Sequence, residues 1–311
     1  MGHDDWEAHA PGLKSLGDAL EIRRRIYMAY EEAERCDDPS QRGLPLAFVV
    51  IGGGPTGVEL AGAIAEIARR TLRRDFRHID PAASPVFPVE AGPRILPGFP
   101  PELGARAAQA LTAMGVQVRL GMAVTDVSRD GVLLGDERIA SRTVIWAAGV
   151  EASPLGRSLD AQHDRLGRVE VEPDLSLPGH PEVYVAGDLA LLRGPDGRLL
   201  PGLAPVAMQE GRWAARNIAR RAAGLPTQPF VYRDRGALAT IGRRAAVAEI
   251  RGLRLHGFPA WLAWLFVHIL YLIGFDNRVA VLWRWAYAYF TFERGARLIT
   301  GPVGETARRD L

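Results

Sequence analysis

The stretch FVVIGGGPTGVELAGAIAE, residues 48–66, restricts the fold more than any other part of the chain. The apolar run Ala47–Ile51 predicts a strand buried on both faces. A helix-forming segment comes after it, and between the two lies the spacing G-x-G-x-x-G, formed by Gly52, Gly54 and Gly57. In this context the glycines permit a tight turn, close approach of a pyrophosphate and close packing of helix on strand. The stretch therefore predicts a Rossmann-type dinucleotide-binding turn, and a glycine-rich turn without a ligand is the alternative.

A glutamate that closes the next predicted strand, PVFPVE, is the second candidate ligand residue. Glu90 lies 33 residues after Gly57 (90 minus 57), beyond the usual spacing of about 20, and the basic insertion at 69–84 accounts for the excess. Its carboxylate is placed to accept hydrogen bonds from the adenosine ribose and favours NADH over NADPH. Arg94 nearby argues the other way, and a solvated strand-end acid is the alternative. Pro88 is unexpected in a central strand, because it cannot donate to the ladder.

Strands and helices alternate through the first half of the chain. Ser15–Cys36 predicts a helix that starts with a capping-box variant, Ser15 with Asp18. Its apolar repeat consists of Leu16, Ala19, Ile22, Ile26, Ala29 and Ala33. A further helix, residues 101–115, is predicted to end at Gly115 as its C-cap, and a turn at residues 130–131 predicts a hairpin. This order indicates an α/β fold with a mostly parallel sheet and an antiparallel excursion.

A second candidate site follows the segment EVYVAGD, which has a buried-strand pattern. Asp188 ends this apolar run, where we expect the carboxyl edge of a sheet, and ligands of open α/β folds bind at such edges. A carboxylate there can hold sugar or ribityl hydroxyls. The Gly187–Asp188 pair taken alone also fits an ordinary turn. A helix is predicted from about Val206 to Ala223.

Composition excludes several classes of protein. Lys and Arg number 38 against 36 Asp and Glu, which gives a formal charge of +2 and argues against a nucleic-acid partner. Cys36 is the sole cysteine, so neither an internal disulfide nor a CxxC redox pair is possible. The first ten residues lack the basic and apolar regions of a secretory signal. No metal site is predicted.

Seven segments of the chain occur in an order that is similar to type II NADH dehydrogenase, the single-subunit, non-proton-pumping NADH:quinone oxidoreductase. They are GGGPTGVELAG, VEAGPRILPGF, TVIWAAG, VYVAGD, LAPVAMQEGRWAARNI, ALATIGRRAAVAEI and GFDNR. The resemblance covers essentially the whole chain from Gly2 onward. It implies a two-dinucleotide flavoprotein fold in which the NAD domain is inserted in a partial FAD domain. It also implies electron flow from NADH through FAD to a quinone of a bacterial respiratory membrane.

The resemblance assigns residues to the NADH site. Gly52, Gly54, Gly57 and Glu90 would hold the dinucleotide. The segment WAAG, which ends at Gly149, would line the nicotinamide side.

The same resemblance assigns residues to the flavin and to catalysis. Gly187 and Asp188 would hold the ribityl and pyrophosphate region of FAD, and the helix that starts at Ala204 would open beneath the isoalloxazine. Glu59 and Gln209 would lie near the nicotinamide and quinone sites, where they could orient substrate or relay protons. Without the resemblance, Glu59 in a first helical turn indicates only helix stabilisation. The chain reads Ala-Pro where the family often has Ala-Gln.

The chain departs from the family at its start. The family begins with its own strand and glycine fingerprint for the FAD pyrophosphate, and no second fingerprint occurs in the 311 residues. Two other functions therefore stay open: a flavin-poor NADH-binding module that associates with membranes without turnover, and a soluble NAD(P)H-flavin reductase that feeds a ferredoxin-type acceptor.

The C-terminal part predicts a membrane-associating region. Phe258–Phe275 is an almost continuously apolar run of 18 residues, the lower limit for a membrane span. Aromatic residues and arginines typical of a headgroup boundary lie in and after it: Trp261, Trp264, Trp283, Trp285, Tyr287, Tyr289, Arg284, Arg294 and Arg297. We expect an amphipathic helical anchor on the cytoplasmic face of the membrane, with a membrane span and a buried core helix as alternatives. A homodimer is also compatible with the sequence.

These patterns predict four segments. Residues 1–46 form a connecting helix of the partial FAD domain, and residues 47–150 form the NADH-binding Rossmann domain. Residues 151–229 return to the FAD domain, and residues 230–311 associate with the membrane.

Overall fold

The computed structural model describes residues 4–149, 151–272, 274–291 and 299. The chain divides into two compact units. The large unit comprises residues 5–149 and 236–311, and the small unit comprises residues 1–4 and 150–235. Each unit has its own hydrophobic core. The four segments expected from the sequence stay a prediction.

The first part of the large unit alternates helices with strands. In chain order its elements are α1 (Leu16–Arg35), α2 (Gly43–Leu46), β1 (Phe48–Ile51), α3 (Pro55–Glu66), β2 (Val86–Glu90), α4 (Pro101–Ala113), β3 (Arg119–Leu120), β4 (Asp126–Ser128), β5 (Gly131–Leu134), β6 (Glu137–Ala140) and β7 (Thr143–Trp146). A π-helical turn, Ile67–Thr71, extends α3.

The main sheet has the order β3-β2-β1-β7, and all of its strand pairs are parallel. All four residues of the central strand β1 are buried, as its apolar run predicts. Strands β4, β5 and β6 form a separate antiparallel sheet between β3 and β7 in the sequence. The predicted α/β fold with an antiparallel excursion is therefore confirmed.

The parallel sheet tolerates Pro88 because of where its missing N–H would point. Pro88 pairs with Val50 of β1 in register. Along β2, the carbonyl of Val89 faces β1, where it accepts from Gly52, while that of Val86 faces the chain that enters β3, where it accepts from Gln117. Even-numbered residues of β2 therefore face β3, whose paired residues begin opposite Val89. Proline at position 88 therefore removes a donor that would point toward the segment before β3, where the paired residues of that strand have not yet begun.

Helix α1 starts with the predicted capping box. The Ser15 hydroxyl accepts from the backbone of Asp18, and the Asp18 carboxylate accepts from the backbone of Ser15. Ile22, Ile26 and Tyr30 lie in one core with β1 and α3. Leu16, the first residue of the apolar repeat, is 78% exposed at the first turn.

The C-terminal part of the large unit adds a three-stranded antiparallel sheet and two helices. Its elements, which follow those of the small unit in the sequence, are β12 (Ala237–Gly242), β13 (Ala245–Ile250), β14 (Leu253–Gly257), α6 (Phe258–Tyr271) and α7 (Phe275–Thr291). Helix α3 packs on β12: a Cβ at Gly62 would overlap the carbonyl oxygen of Ile241, and Glu66 accepts from the backbone of Arg243. Residues that precede the small unit in the sequence and residues that follow it thus form one core.

The apolar run Phe258–Phe275 forms parts of two helices, because helix α6 ends at Tyr271 and α7 begins at Phe275. Large apolar side chains on both helices face solvent: Phe258, Leu262, Phe266, Leu270, Phe275, Val279, Leu282 and Trp283. Among the described residues no helix combines the length and the hydropathy that crossing a membrane requires. Arg294 and Arg297 lie outside the described residues, as does the side chain of Tyr289.

The small unit is built from short elements. They are β8 (Val169–Glu170), β9 (Ser176–Leu177), β10 (His180–Tyr184), β11 (Ala190–Leu191) and α5 (Ala204–Ala222). Strand β10 pairs antiparallel with β9, and β11 pairs parallel with β8.

The expectation of a buried strand that ends at Asp188 is wrong. Strand β10 stops at Tyr184, and its residues are exposed or half-buried. Asp188 lies in the 3-10 turn Gly187–Leu189. The described strands of this unit pair only in twos, so the apolar segment is not enclosed between neighbouring strands.

Candidate functional site

The glycine turn lies at the carboxyl edge of the parallel sheet. Gly52 has φ +115°, and a Cβ there would lie 2.6 Å from the carbonyl oxygen of Ala147, the residue after β7. A Cβ at Gly57 would overlap the Gly52 carbonyl oxygen, so helix and turn touch at backbone level. No atom lies within 4 Å of the Cβ position at Gly54, and no side chain caps α3 at this end. The turn is tight where the fold needs it and open at the position where a phosphate would approach free amides.

Glu90 lies against this turn, as its position at the end of β2 predicts. Its Oε2 accepts from the backbone N–H of Gly53 at 2.7 Å, and its Oε1 accepts from that of Gly92 at 2.7 Å. Two backbone donors thus fix the carboxylate beside the turn. A Cβ at Gly53 would lie 2.9 Å from the Glu90 side chain, so this glycine is required for the contact.

Arg94 is committed to its own loop. Its guanidinium donates to the carbonyl oxygens of Leu96 at 3.3 Å, Pro97 at 2.7 Å and Phe99 at 2.8 Å. An arginine that would bind an extra ribose phosphate needs its donors toward the ligand. Arg94, bound to its own loop, therefore does not favour NADPH.

Glu59 connects α3 to the C-terminal sheet. Its Oε1 accepts from the backbone N–H of Thr240 in β12 at 3.0 Å. Burial raises the pKa of the Glu59 carboxyl, and the Thr240 hydrogen bond and the charge of His268 offset this only in part. The side chain is half-buried in the large unit, so it does more than stabilise the end of a helix.

Gly149 ends the segment that follows β7. It has φ +118°, a conformation that favours glycine. The preceding Ala147 donates to the carbonyl of Ile51 at 2.7 Å, which ties this segment to the end of β1. The segment WAAG therefore leaves the same sheet edge as the glycine turn.

The second candidate site, in the small unit, is the turn Gly187–Leu189. Gly187 has φ +74°, and a Cβ there would lie 3.2 Å from the Ala207 side chain in α5. Asp188 is exposed, and its Oδ1 lies 3.4 Å from the Cβ position of Gly202, just before α5 begins. A rigid turn thus carries a carboxylate beside a helix N-terminus that no side chain caps.

Glu210 is a further residue at this turn, and it is not among the residues predicted from the sequence. Its side chain is 2% exposed, and its Oε2 accepts from the backbone N–H of Gly187 at 2.6 Å. Burial raises the pKa of this carboxyl, the Gly187 hydrogen bond lowers it, and the charge of Asp188 raises it further. The signal was present in the sequence, because Val206, Glu210 and Ala214 recur every four residues and place an acid on the buried face of α5.

The two other predicted residues of α5 have different surroundings. The Gln209 amide exchanges hydrogen bonds with the backbone of Arg233: its Nε2 donates at 3.0 Å and its Oε1 accepts at 3.1 Å. Ala204 is the exposed first residue of the helix. Among the described residues no cluster of three metal-ligating side chains occurs.

The fold and the glycine turn define a Rossmann-type α/β protein. A sequence model of the family "Pyridine nucleotide-disulphide oxidoreductase" matches residues 14–211, more than half of the chain. The chain belongs to this family.

Within this family the chain is most informatively compared with individual proteins. The chain is 45% identical to the type II NADH:quinone oxidoreductase Ndh of Mycobacterium tuberculosis, over 96% of this chain and 66% of that protein. It is 42% identical to NdhA of the same organism, over 97% of this chain and 66% of that protein. With an internal alternative NAD(P)H-ubiquinone oxidoreductase of Solanum tuberosum it shares 30% identity, over 89% of this chain and 59% of the relative. The chain thus spans at most 66% of the length of these relatives, and the resemblance found in its motifs is confirmed.

Solved structures show the same fold. NDH2 from Plasmodium falciparum, in a structure with NADH, superposes with a TM-score of 0.82 at 17% identity. The superposition covers 94% of this chain and 75% of that chain.

Proposed function

We propose that the chain is an FAD-dependent oxidoreductase that passes electrons from NADH to a membrane quinone without pumping protons. The observation that carries this proposal is the 45% identity, over nearly the whole chain, to a protein named type II NADH:quinone oxidoreductase. The glycine turn of the large unit and the Gly187–Asp188 turn of the small unit support it, because such an enzyme needs a site for each of two nucleotides.

The large unit would bind NADH. Gly52, Gly54 and Gly57 would receive the pyrophosphate at the start of α3, and Glu90 would accept hydrogen bonds from the adenosine ribose. The engagement of Arg94 with its own loop supports NADH over NADPH. Gly149 and Glu59 would serve the nicotinamide side.

The small unit would contribute to the FAD site. The residues present fit such a group: Asp188 is an exposed carboxylate on a rigid turn, suited to ribityl hydroxyls, and the uncapped start of α5 at Ala204 offers backbone amides. The chemistry that FAD supplies when bound is electron relay from a nicotinamide to a quinone. Gln209 would orient substrate or relay protons.

The C-terminal helices would bring the enzyme to its quinone. The exposed apolar side chains of α6 and α7 support peripheral association with a membrane, because such residues are costly to leave in water. The face that we propose is the cytoplasmic one. A homodimer is compatible with this arrangement.

The test is the visible absorption spectrum of the chain purified in mild detergent, before and after anaerobic addition of NADH. A flavin spectrum that bleaches with NADH, followed by NADH-dependent reduction of a soluble quinone analogue, is the expected result. A colourless protein that still binds NADH would favour an NADH-binding module without turnover. Turnover with a ferredoxin-type acceptor but not with quinone would favour a soluble reductase.

A further inference from the structure

The buried acid of the small unit has no role in the proposed electron transfer, yet it contacts the turn proposed to bind FAD. Glu210 lies in the second turn of α5, and its carboxylate accepts a 2.6 Å hydrogen bond from the backbone N–H of Gly187. Among the described residues it is the one Asp or Glu whose side chain is buried. Burying a carboxyl group costs free energy unless the group is hydrogen-bonded or paired.

We propose that Glu210 is a positioning residue that holds the Gly187–Asp188 turn in its FAD-binding conformation. This inference rests on the proposed role of that turn in binding FAD. Glu210 acts through the backbone: it fixes the N–H of Gly187, and the adjacent Asp188 presents its carboxylate to the ligand from the turn so fixed.

The geometry of the turn explains why an anchor is needed. Gly187 has φ +74°, and glycine is the residue that loses most conformational freedom when it is fixed. Helix α5 lies close to the turn, since a Cβ at Gly187 would lie only 3.2 Å from the Ala207 side chain, closer than an ordinary van der Waals contact. The Glu210 hydrogen bond ties this flexible residue to a 19-residue helix.

Charge decides which substitution tests the anchor. Burial and the negative charge of Asp188 both disfavour ionisation of the Glu210 carboxyl. Glutamine at position 210 keeps an oxygen acceptor for the N–H of Gly187 and carries no charge, so it tests whether the hydrogen bond alone holds the turn.

The experiment measures FAD affinity of the full chain in mild detergent, by quenching of flavin fluorescence, for Glu210→Ala and Glu210→Gln. Glu210→Ala is expected to weaken FAD binding about tenfold, the equivalent of one hydrogen bond of about 1.4 kcal/mol. Glu210→Gln is expected to stay within about threefold of the wild type, because its amide oxygen can accept from Gly187. Hydrogen exchange of the peptide that contains Gly187 is expected to accelerate in the alanine variant and not in the glutamine variant.

The matched control is Asn217→Ala. Asn217 lies on the same helix, is 1% exposed and hydrogen-bonds the backbone of Asp174 and Gln228. It should lower the melting temperature without weakening FAD binding or accelerating exchange at Gly187. Equal loss of FAD affinity in both alanine variants, or unchanged exchange at Gly187 in Glu210→Ala, would overturn the positioning role. A wild-type chain that binds no FAD would overturn the proposed FAD site and this inference with it, a result distinct from a wild type that binds FAD and variants that match it.

Discussion

Glutamates in this chain have different surroundings because the backbone groups that they contact differ. Glu90 accepts from two N–H groups at the sheet edge, Glu59 accepts from one across a helix–strand contact, and Glu210 accepts from one inside the small unit. The identity of the residue alone would not distinguish them. The distinction comes from which element each carboxylate faces.

The first residue-scale prediction concerns coenzyme preference. Glu90→Gln removes the negative charge that would repel the extra phosphate of NADPH, so the ratio of NADH to NADPH affinity should fall about tenfold, as expected for one charge interaction of about 1–2 kcal/mol near a protein surface. Isothermal titration with both coenzymes measures the ratio. The control is Glu137→Gln, an exposed acid on β6, which should leave it unchanged. An unchanged ratio in Glu90→Gln would show that another group sets the preference.

The second residue-scale prediction concerns pH. Burial raises the pKa of folded Glu59 above its unfolded value of about 4.3, so its contribution to stability is fully present below that pH and is lost as pH rises through the folded pKa. Glu59→Gln cannot ionise and keeps an acceptor for Thr240. Above the folded pKa the variant should therefore melt roughly 2–4 °C higher than the wild type, for a gain of about 1 kcal/mol. The difference should disappear near pH 4.

Thermal melts across pH 4 to 8 measure this difference. Glu31→Gln, which changes an exposed acid on α1, should show no melting-temperature difference that depends on pH in this way. A Glu59→Gln protein that is less stable than the wild type at every pH would contradict the prediction.

At the scale of elements, periodicity and glycine spacing predicted those helices and strands whose positions depend on neighbouring residues in the sequence. The capping box placed the start of α1, and the motif placed β1 and α3 around the turn. The partners of Arg94 and Glu210 could not be predicted, since both depend on how a loop and a helix fold back on other segments. The prediction of a buried strand that ends at Asp188 was wrong for the same reason, because an apolar pattern does not reveal whether neighbouring strands enclose the segment.

The element-scale prediction separates two glycines of one turn. Gly57→Ala places a Cβ onto the Gly52 carbonyl, so it should disrupt helix–strand packing and destabilise the large unit by several kcal/mol. Gly54→Ala meets open space and should fold normally, yet it should weaken NADH binding at least tenfold by filling the approach of the pyrophosphate. Circular dichroism melts and NADH titration measure the two effects.

Gly43→Ala is the control for both glycine variants, since its Cβ would also meet open space and it lies in α2, before β1, whereas the glycine turn follows β1. If Gly54→Ala bound NADH as tightly as Gly43→Ala, the pyrophosphate would not lie against residue 54.

At the scale of the whole molecule, the exposed apolar surface of α6 and α7 gives the fourth prediction. Phe266 and Phe275 are 64% and 76% exposed. Replacing both with aspartate should lower binding to anionic vesicles more than tenfold, because burying one such side chain contributes about 2 kcal/mol. Vesicle co-sedimentation measures the bound fraction. Leu16→Asp, at an equally exposed apolar position on α1, should bind as the wild type does, and equal loss in both proteins would contradict the anchor.

The contact between α3 and β12 also determines how long one face of α3 stays uncovered while the chain is being synthesised. Gly62 and Ile241, whose backbones meet, are separated by 179 residues (241 minus 62). A ribosome that adds about 5–20 residues per second needs roughly 9–36 seconds to make that stretch. Throughout this interval the face of α3 that bears Glu59, Gly62 and Glu66 has left the ribosome without its cover. Slower translation across residues 62–241 therefore lengthens the time for which this face of α3 is exposed in the nascent chain.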